Sequence, residues 1–310
     1  MKPQPSLRQL RHLVALAEHC HFGRAAAACL VTQSALSASL AALEALLDAA
    51  LIERTKRSVL VTPLGRDMVA RAALILSDVD DLVDAAGSSG EPLKGTLRLG
   101  VIPTIGPFLL PRVLPALRDA HPDLALYLRE DQTAALLDRL AGGDLDLVLL
   151  AFPYGAAKIE SMIFADDPFL LALPLGHPLA ARDAIDQRAL APETLLLLEE
   201  GHCLRDQALG ACKRDGAEMA GAFQATSLHT LVQMVDNGLG LTLLPKMAVD
   251  AGIIRGTRVT VRSLAGSPSR RIGLAWRATS SRAREFALLG AFFRDELATP
   301  VTGLQKPGTA

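Results

Sequence analysis

Read for apolar spacing, the chain begins with a run of short helices. Leu10, Leu13, Leu16 and Ala17 recur at helical intervals and form one stripe. Phe22, Ala25, Ala26 and Cys29 or Leu30 form a second, in a segment of small residues suited to close packing. Thr32 stands where an N-cap belongs, ahead of a third helix predicted over residues 33–47 with Leu36, Leu40, Leu43, Leu46 and Leu47 turned inward. The short turn Leu30-Val31-Thr32 between the second and third helices fits a helix-turn-helix. Between Glu53 and Gly65 the pattern changes to a basic tip, Arg54-Thr55-Lys56-Arg57, and a β-like run over 58–62 closed by Pro63, which predicts a wing.

A long helix is predicted next, over residues 64–86. Met68, Ala72, Ile75, Val79, Leu82 and Ala86 are spaced 4-3-4-3-4, a heptad seam that points to dimerisation. Gly87-Ser88-Ser89-Gly90-Glu91-Pro92 reads as a hinge. Beyond it, strand-like runs (96–101, 125–129, 146–151, 169–173, 195–198, 241–244 and 272–276) alternate with helical segments such as 108–120, 133–142 and 228–237. That alternation predicts an α/β domain with largely parallel sheets, long enough for two lobes around a cleft. The predicted organisation is a winged helix-turn-helix over 1–66, a linker helix and hinge over 67–90, a two-lobed domain over 91–298 and a disordered tail over 299–310.

Charge sharpens this division. The 310 residues carry a net charge of −1, yet residues 1–66 hold eight basic side chains against four acidic ones, a net +4 that leaves −5 for the rest. A basic end on an acidic body predicts contact with a polyanion. Aromatic residues are only 4% of the chain, which disfavours the stacking platforms of single-strand and RNA binders and leaves duplex DNA. Mean hydropathy is +0.28, but the apolar runs are short and broken by charge, so no membrane span is predicted. The first ten residues lack the hydrophobic core of a signal peptide, and a cytoplasmic location is expected.

There are four cysteines, too few and too scattered for a disulfide framework in that compartment. No CxxC pair is present and the histidines do not fall at zinc-ligand spacing, so neither a metal site nor a cofactor is expected. Cys20 and Cys29 lie on the helix-turn-helix and read as packing or surface thiols. His19, His21 and His229 show no partner pattern, and Trp276 reads as core.

Several blocks together resemble the LysR family of bacterial transcription regulators. Residues 13–44, LVALAEHCHFGRAAAACLVTQSALSASLAALE, look like that family's DNA-binding helices. Residues 199–212, EEGHCLRDQALGAC, are similar to the redox signature of its peroxide-sensing members. Further similarity lies at GVIPTIGPFLLP (100–111), EDQTAALLDRL (130–140), ATSLHTLVQMV (225–235) and GLTLLP (240–245), so the resemblance covers roughly residues 7–297. It implies a winged helix-turn-helix, a linker helix, a regulatory domain like the periplasmic binding proteins, and homodimers that assemble into DNA-bound tetramers. The implied activity is regulation of transcription in response to hydrogen peroxide, without enzymatic turnover, with RNA polymerase as a further partner.

The resemblance also implies the site residues. Cys203 is the peroxide-reactive thiol, Cys212 the resolving thiol that joins it in a disulfide, and Thr104, Thr133, His202, Gln207 and Arg270 surround Cys203. Arg270 and Arg271 are strand neighbours that face opposite ways, and the spacing to Ile272-Gly273-Leu274 favours Arg270. Cys203 should open a helix, where backbone N–H groups and the dipole stabilise a thiolate. In a continuous helix, residues nine apart are roughly 13.5 Å apart along the axis. A disulfide needs Cα atoms within about 7 Å. Joining the two cysteines therefore requires the segment to unwind, with Gly210 easing the change. On DNA, Gln33, Ser34, Ser37 and Ser39 would face the bases and Arg54, Lys56 and Arg57 the phosphates. One departure stands out: the family's recognition helix carries a basic residue in its second half, and residues 36–47 here contain none. Two competing readings are a family member that binds a small anionic metabolite in the interlobe cleft, and a thiol peroxidase.

Overall fold

Three helices, α1 (Leu7–His19), α2 (Phe22–Ala28) and α3 (Gln33–Leu47), close around Leu13, Leu16, Ala25, Ala26, Leu36, Leu40 and Leu43. They belong to a computed structural model that describes residues 4–54, 59–87, 92–154, 158–212 and 224–299. Each helix start has a side-chain cap. Ser6 and Gln9 form a reciprocal capping box at α1, and the Thr32 hydroxyl accepts from Ala35 N at 3.2 Å at α3. His21, without an evident partner in the sequence, caps α2 by accepting from Gly23 N and Arg24 N. Leu47, expected inward, is 37% exposed because it closes the last turn of α3.

The wing strands β1 (Ile52–Arg54) and β2 (Val59–Val61) pair antiparallel. The Glu44 carboxylate holds them to α3 by accepting from Leu51 N at 2.8 Å and Ile52 N at 3.0 Å. α4 (Pro63–Gly87) then runs 25 residues, with Pro63 at the position where a missing N–H is harmless. Of the predicted seam, Ala72 is buried, whereas Ile75 and Leu82 are exposed, as is Val83 beside them. Among the described residues no single helix is long and apolar enough to cross a membrane.

The chain divides into two compact units, Met1–Pro92 with Asp138–Leu145, and Leu93–Leu137 with Asp146–Ala310. The second is α/β. Its elements in chain order are β3 (Gly95–Val101), α5 (Gly106–Ala120), β4 (Leu124–Glu130), α6 (Thr133–Gly142, which spans the division), β5 (Leu147–Phe152), β6 (Ile159–Leu173), β7 (Ala184–Ile185), β8 (Leu197–Leu198), α7 (Cys203–Cys212), β9 (Gln224–Ala225), α8 (Leu228–Asp236), β10 (Thr242–Pro245), α9 (Lys246–Asp250), β11 (Thr260–Leu264), β12 (Ser269–Arg277) and α10 (Ala283–Ala298).

The large sheet has the order β4-β3-β5-β12-β6-β11-β7, with β10 also on β6. The expectation of largely parallel sheets is corrected here. β4, β3 and β5 are parallel, but β12 runs antiparallel to both β5 and β6, and β10 and β11 are antiparallel to β6. The reason is β6, a 15-residue strand that pairs with β12 in its first part and with β10 and β11 in its second. It thereby passes from one lobe to the other. Apolarity marks only its end, 169–173. The start carries Glu160, Asp166, Asp167 and Pro168 and is mostly exposed or half-buried, so the pattern conceals that half of the strand. The second lobe packs Leu171, Leu197, Leu198, Leu204, Leu209, Leu231, Val235, Leu243 and Leu244 into one apolar cluster.

Candidate functional site

α7 begins at Cys203 and ends at Cys212, an unbroken ten-residue helix. The chain enters it through Gly201, whose φ of +94° suits glycine and few other residues. A Cβ at Gly201 would also meet the amide end of the Gln132 side chain, which would have to turn aside. Asp206 in the first turn favours the helix through its dipole.

A small cavity of about 10 Å³ opens at this end, bounded by Ile102, Thr104, Gln132, Thr133, His202 and Cys203. It has room for roughly one water-sized molecule. Thr104 and His202 are buried and Cys203 is half-buried. His202 Nε2 lies 3.9 Å from the Glu199 carboxylate. Gln207, one turn after Cys203, shares its helix face. Both polar atoms of its amide are buried without a hydrogen-bond partner among the described residues, and so is the Thr133 hydroxyl oxygen by strict hydrogen-bond geometry. That hydroxyl still lies close enough to Cys203 to favour the thiolate. Of these groups the Thr133 hydroxyl lines the cavity, and a hydroxyl there can both donate to and accept from a small molecule.

Arg270 is buried on β12, and its strand neighbour Arg271 is exposed. The Arg270 guanidinium donates from Nε to Asp167 Oδ2 at 3.0 Å, from Nη1 to the Thr104 hydroxyl at 2.9 Å and from Nη2 to the Thr104 carbonyl at 2.9 Å. Asp167 and Arg270 are cross-strand partners in the β6–β12 register, which places the pair directly opposite. Asp167 and Gln132 escaped the sequence reading. The only signal for Asp167 was a second carboxylate at 166–167 just before an apolar run, where strand alternation buries one and exposes the other.

Burial pushes the Cys203 thiol above its ordinary pKa. The Thr133 hydroxyl, the Arg270 charge and the Leu204 N–H each draw it down, and Asp206 adds to the rise. The N-terminal amide acts as expected, but desolvation of the charged form outweighs it. Cys212 is 3% exposed within the apolar cluster of the second lobe, and all four cysteines are reduced.

Of the expected DNA-facing residues, Gln33 and Ser34 are exposed at the start of α3, while Ser37 and Ser39 are half-buried. Arg54 ends β1, but its side chain, together with Lys56 and Arg57, lies outside the described residues, as do most of the hinge and nearly all of the tail. Cys20 is exposed and donates its S–H to the Ala17 carbonyl at 3.3 Å. Cys29 is half-buried, and burial followed by Glu18 raises its pKa. Among the described residues no cluster of three or more His, Cys, Asp or Glu is arranged to hold a metal ion.

Two family models match the chain: the bacterial regulatory helix-turn-helix of the lysR family over residues 7–66, and the LysR substrate binding domain over residues 90–298. A probable hydrogen peroxide-inducible genes activator of Streptomyces viridosporus is 48% identical over 95% of this chain and 95% of its own. The DNA-binding transcriptional dual regulator OxyR of Escherichia coli is 46% identical over 88% of this chain and 89% of its own. Among solved structures, a full-length OxyR variant of Pseudomonas aeruginosa superposes with a TM-score of 0.78 at 37% identity, covering 94% of this chain and 98% of the other. A hydrogen-peroxide-bound OxyR mutant of Corynebacterium glutamicum gives 0.66 at 34% identity, covering 96% and 94%. With both domains matched and identity sustained along nearly the whole chain, the protein belongs to the LysR family of bacterial transcription regulators, in its OxyR branch.

Proposed function

We propose that the protein is a DNA-binding transcription regulator that senses hydrogen peroxide at Cys203 and stores the signal as a Cys203–Cys212 disulfide. The observation that carries this reading is the small cavity beside Cys203, lined by Thr104, Thr133 and His202, where the Thr133 hydroxyl and the Arg270 charge favour the thiolate. The thiolate attacks one peroxide oxygen and the O–O bond breaks. Sulfur is oxidised by two electrons to a sulfenic acid, and the departing hydroxide takes up a proton as water. Thr104, Thr133, His202, Gln207 and Arg270 orient the peroxide and stabilise that leaving group. Cys212 then attacks the Cys203 sulfur as a thiolate, an S–S bond forms and a second water leaves.

The second step cannot occur on the helix as it stands. Its ends are roughly 13.5 Å apart along the axis, and Cys212 must leave the apolar cluster to reach Cys203. Oxidation therefore refolds α7, and that change is the switch. On the DNA side, Gln33, Ser34 and Ser37 meet base edges, and Arg54, Lys56 and Arg57 grip phosphates. The exposed Ile75 and Leu82 of α4 form the dimer seam, tetramers assemble from dimers, and RNA polymerase is met at the promoter. These activities are exercised in the cytoplasm without catalytic turnover.

Thiol trapping with peptide mass spectrometry, before and after a brief peroxide pulse, tests the reading. The expected result is a Cys203–Cys212 disulfide with Cys20 and Cys29 still reduced. Oxidation spread evenly over the four thiols would sink it. For the DNA half, Ala at Arg54, Lys56 and Arg57 together should weaken duplex binding across sequences and flatten its salt dependence. An unchanged salt slope would remove the wing from the interface.

A further inference from the structure

Asp167 lies behind the cavity rather than in it, yet it connects three elements there. Its side chain is 2% exposed. One carboxylate oxygen, Oδ1, accepts from Met247 N at 2.8 Å in the first turn of α9. The other, Oδ2, accepts from Arg270 Nε at 3.0 Å and lies 2.9 Å from Nη2. A guanidinium is a rigid planar fork, so holding one edge fixes where the other points. That other edge meets the Thr104 hydroxyl and carbonyl, each at 2.9 Å. Because the Thr104 oxygen accepts from Arg270, its own O–H remains to donate, and Thr104 lines the cavity beside Cys203.

We propose that Asp167 is a positioning residue for the peroxide step: it holds Arg270 so that the guanidinium sets Thr104 as a donor at the cavity and keeps its own charge beside the sulfur. The proposal rests on the peroxide-sensing reading above. Without Asp167 the buried guanidinium would keep only neutral acceptors on Thr104 and lose its counter-charge, and it would swing toward water or toward another anion. The cross-strand register makes the arrangement specific, since Asp166 pairs with Arg271 on the opposite, exposed face and cannot replace it.

The test uses full-length protein and two reagents on Cys203, read at that peptide by mass spectrometry. Iodoacetamide reports the thiolate and its access. Peroxide reports these and the orientation of the O–O bond as well. Both rates are taken at a pH where alkylation no longer rises, so that ionisation is matched between variants. Asp167→Asn should slow the peroxide reaction at least about tenfold while alkylation stays within about twofold of wild type. Asp167→Glu keeps the charge but displaces it by one methylene, and should fall between, about three- to fivefold slower. A folded Asp167→Asn protein with a wild-type peroxide rate overturns the proposal, and so does a parallel fall in both rates. If that variant does not melt cooperatively, Asp167→Glu decides alone, and a wild-type rate in it is equally fatal. A wild-type Cys203 no faster with peroxide than a free thiol would instead remove the functional reading, and this proposal with it.

Discussion

Cys203 and Cys212 close the two ends of α7, and both are withdrawn from water, but into different company. The Cys203 end faces hydroxyls, an amide and the charge of Arg270. The Cys212 end is packed among leucines and alanines. Burial alone raises a thiol pKa and makes it inert. Cys203 has, against its burial, groups that favour the charged form: the Thr133 hydroxyl, the Arg270 charge and the Leu204 amide. On the proposed reading, one residue type at two places nine positions apart on one helix takes two roles, attacking and resolving thiol, according to its surroundings.

The strongest way to break this contrast is to remove Cys203. Cys203→Ser should abolish fast peroxide consumption and leave the intact mass unchanged after a pulse, whereas a wild-type rate would sink the assignment. Cys212→Ser should alter the outcome rather than the first step. Peroxide consumption should begin at a rate within about twofold of wild type, a sulfenate at Cys203 should be trappable, and with no resolving thiol it should drift toward sulfinic acid. If Cys212→Ser reacts as slowly as Cys203→Ser, the two ends are not distinct in the way proposed.

A gentler perturbation sharpens the contrast at the Cys203 end. Thr133→Val removes the largest influence that lowers the Cys203 pKa, so at pH 7 the peroxide rate should fall by about tenfold, the scale of one hydrogen bond to a charged group. In wild type the rate should climb roughly tenfold per pH unit through neutrality, because a raised pKa leaves the thiolate scarce there. A rate already level at pH 7 would mean that burial does not dominate. The same shift has a consequence for stability. The folded protein holds this proton more tightly than the unfolded chain, so the contribution is present at lower pH. It is lost as pH rises from the ordinary thiol value through the raised one. The smallest expected effect belongs to Cys20→Ser and Cys29→Ser. Both should respond to peroxide within about twofold of wild type, since neither has an activating environment. Loss of response with DNA affinity intact would relocate the redox centre.

Much of the N-terminal unit was legible in the chain because its rules are local. A Thr32 cap, a stripe of Leu36, Leu40 and Leu43, and a proline that ends the wing strand depend on neighbours within a few residues. The bounds of α6 and the start of α7 at Cys203 were readable from the local pattern as well. The half of β6 around Asp166 and Asp167 was not, because it is a strand by virtue of its pairing with β12, about a hundred residues away. A polar strand with one exposed face gives no apolar signature.

The sequence by itself determined which residue types were available and where local structure would hold them: two cysteines at the ends of one helix, separated by more than a disulfide can span. Only the tertiary structure decided how each would behave. It brought Thr104, Thr133 and Arg270 from distant parts of the chain to one end of α7, set Asp167 behind them and buried the thiol. The physical reason is range. Helix propensity and capping act over a few residues, whereas desolvation and charge pairing are set by whatever the fold places within several ångströms, at any separation in sequence.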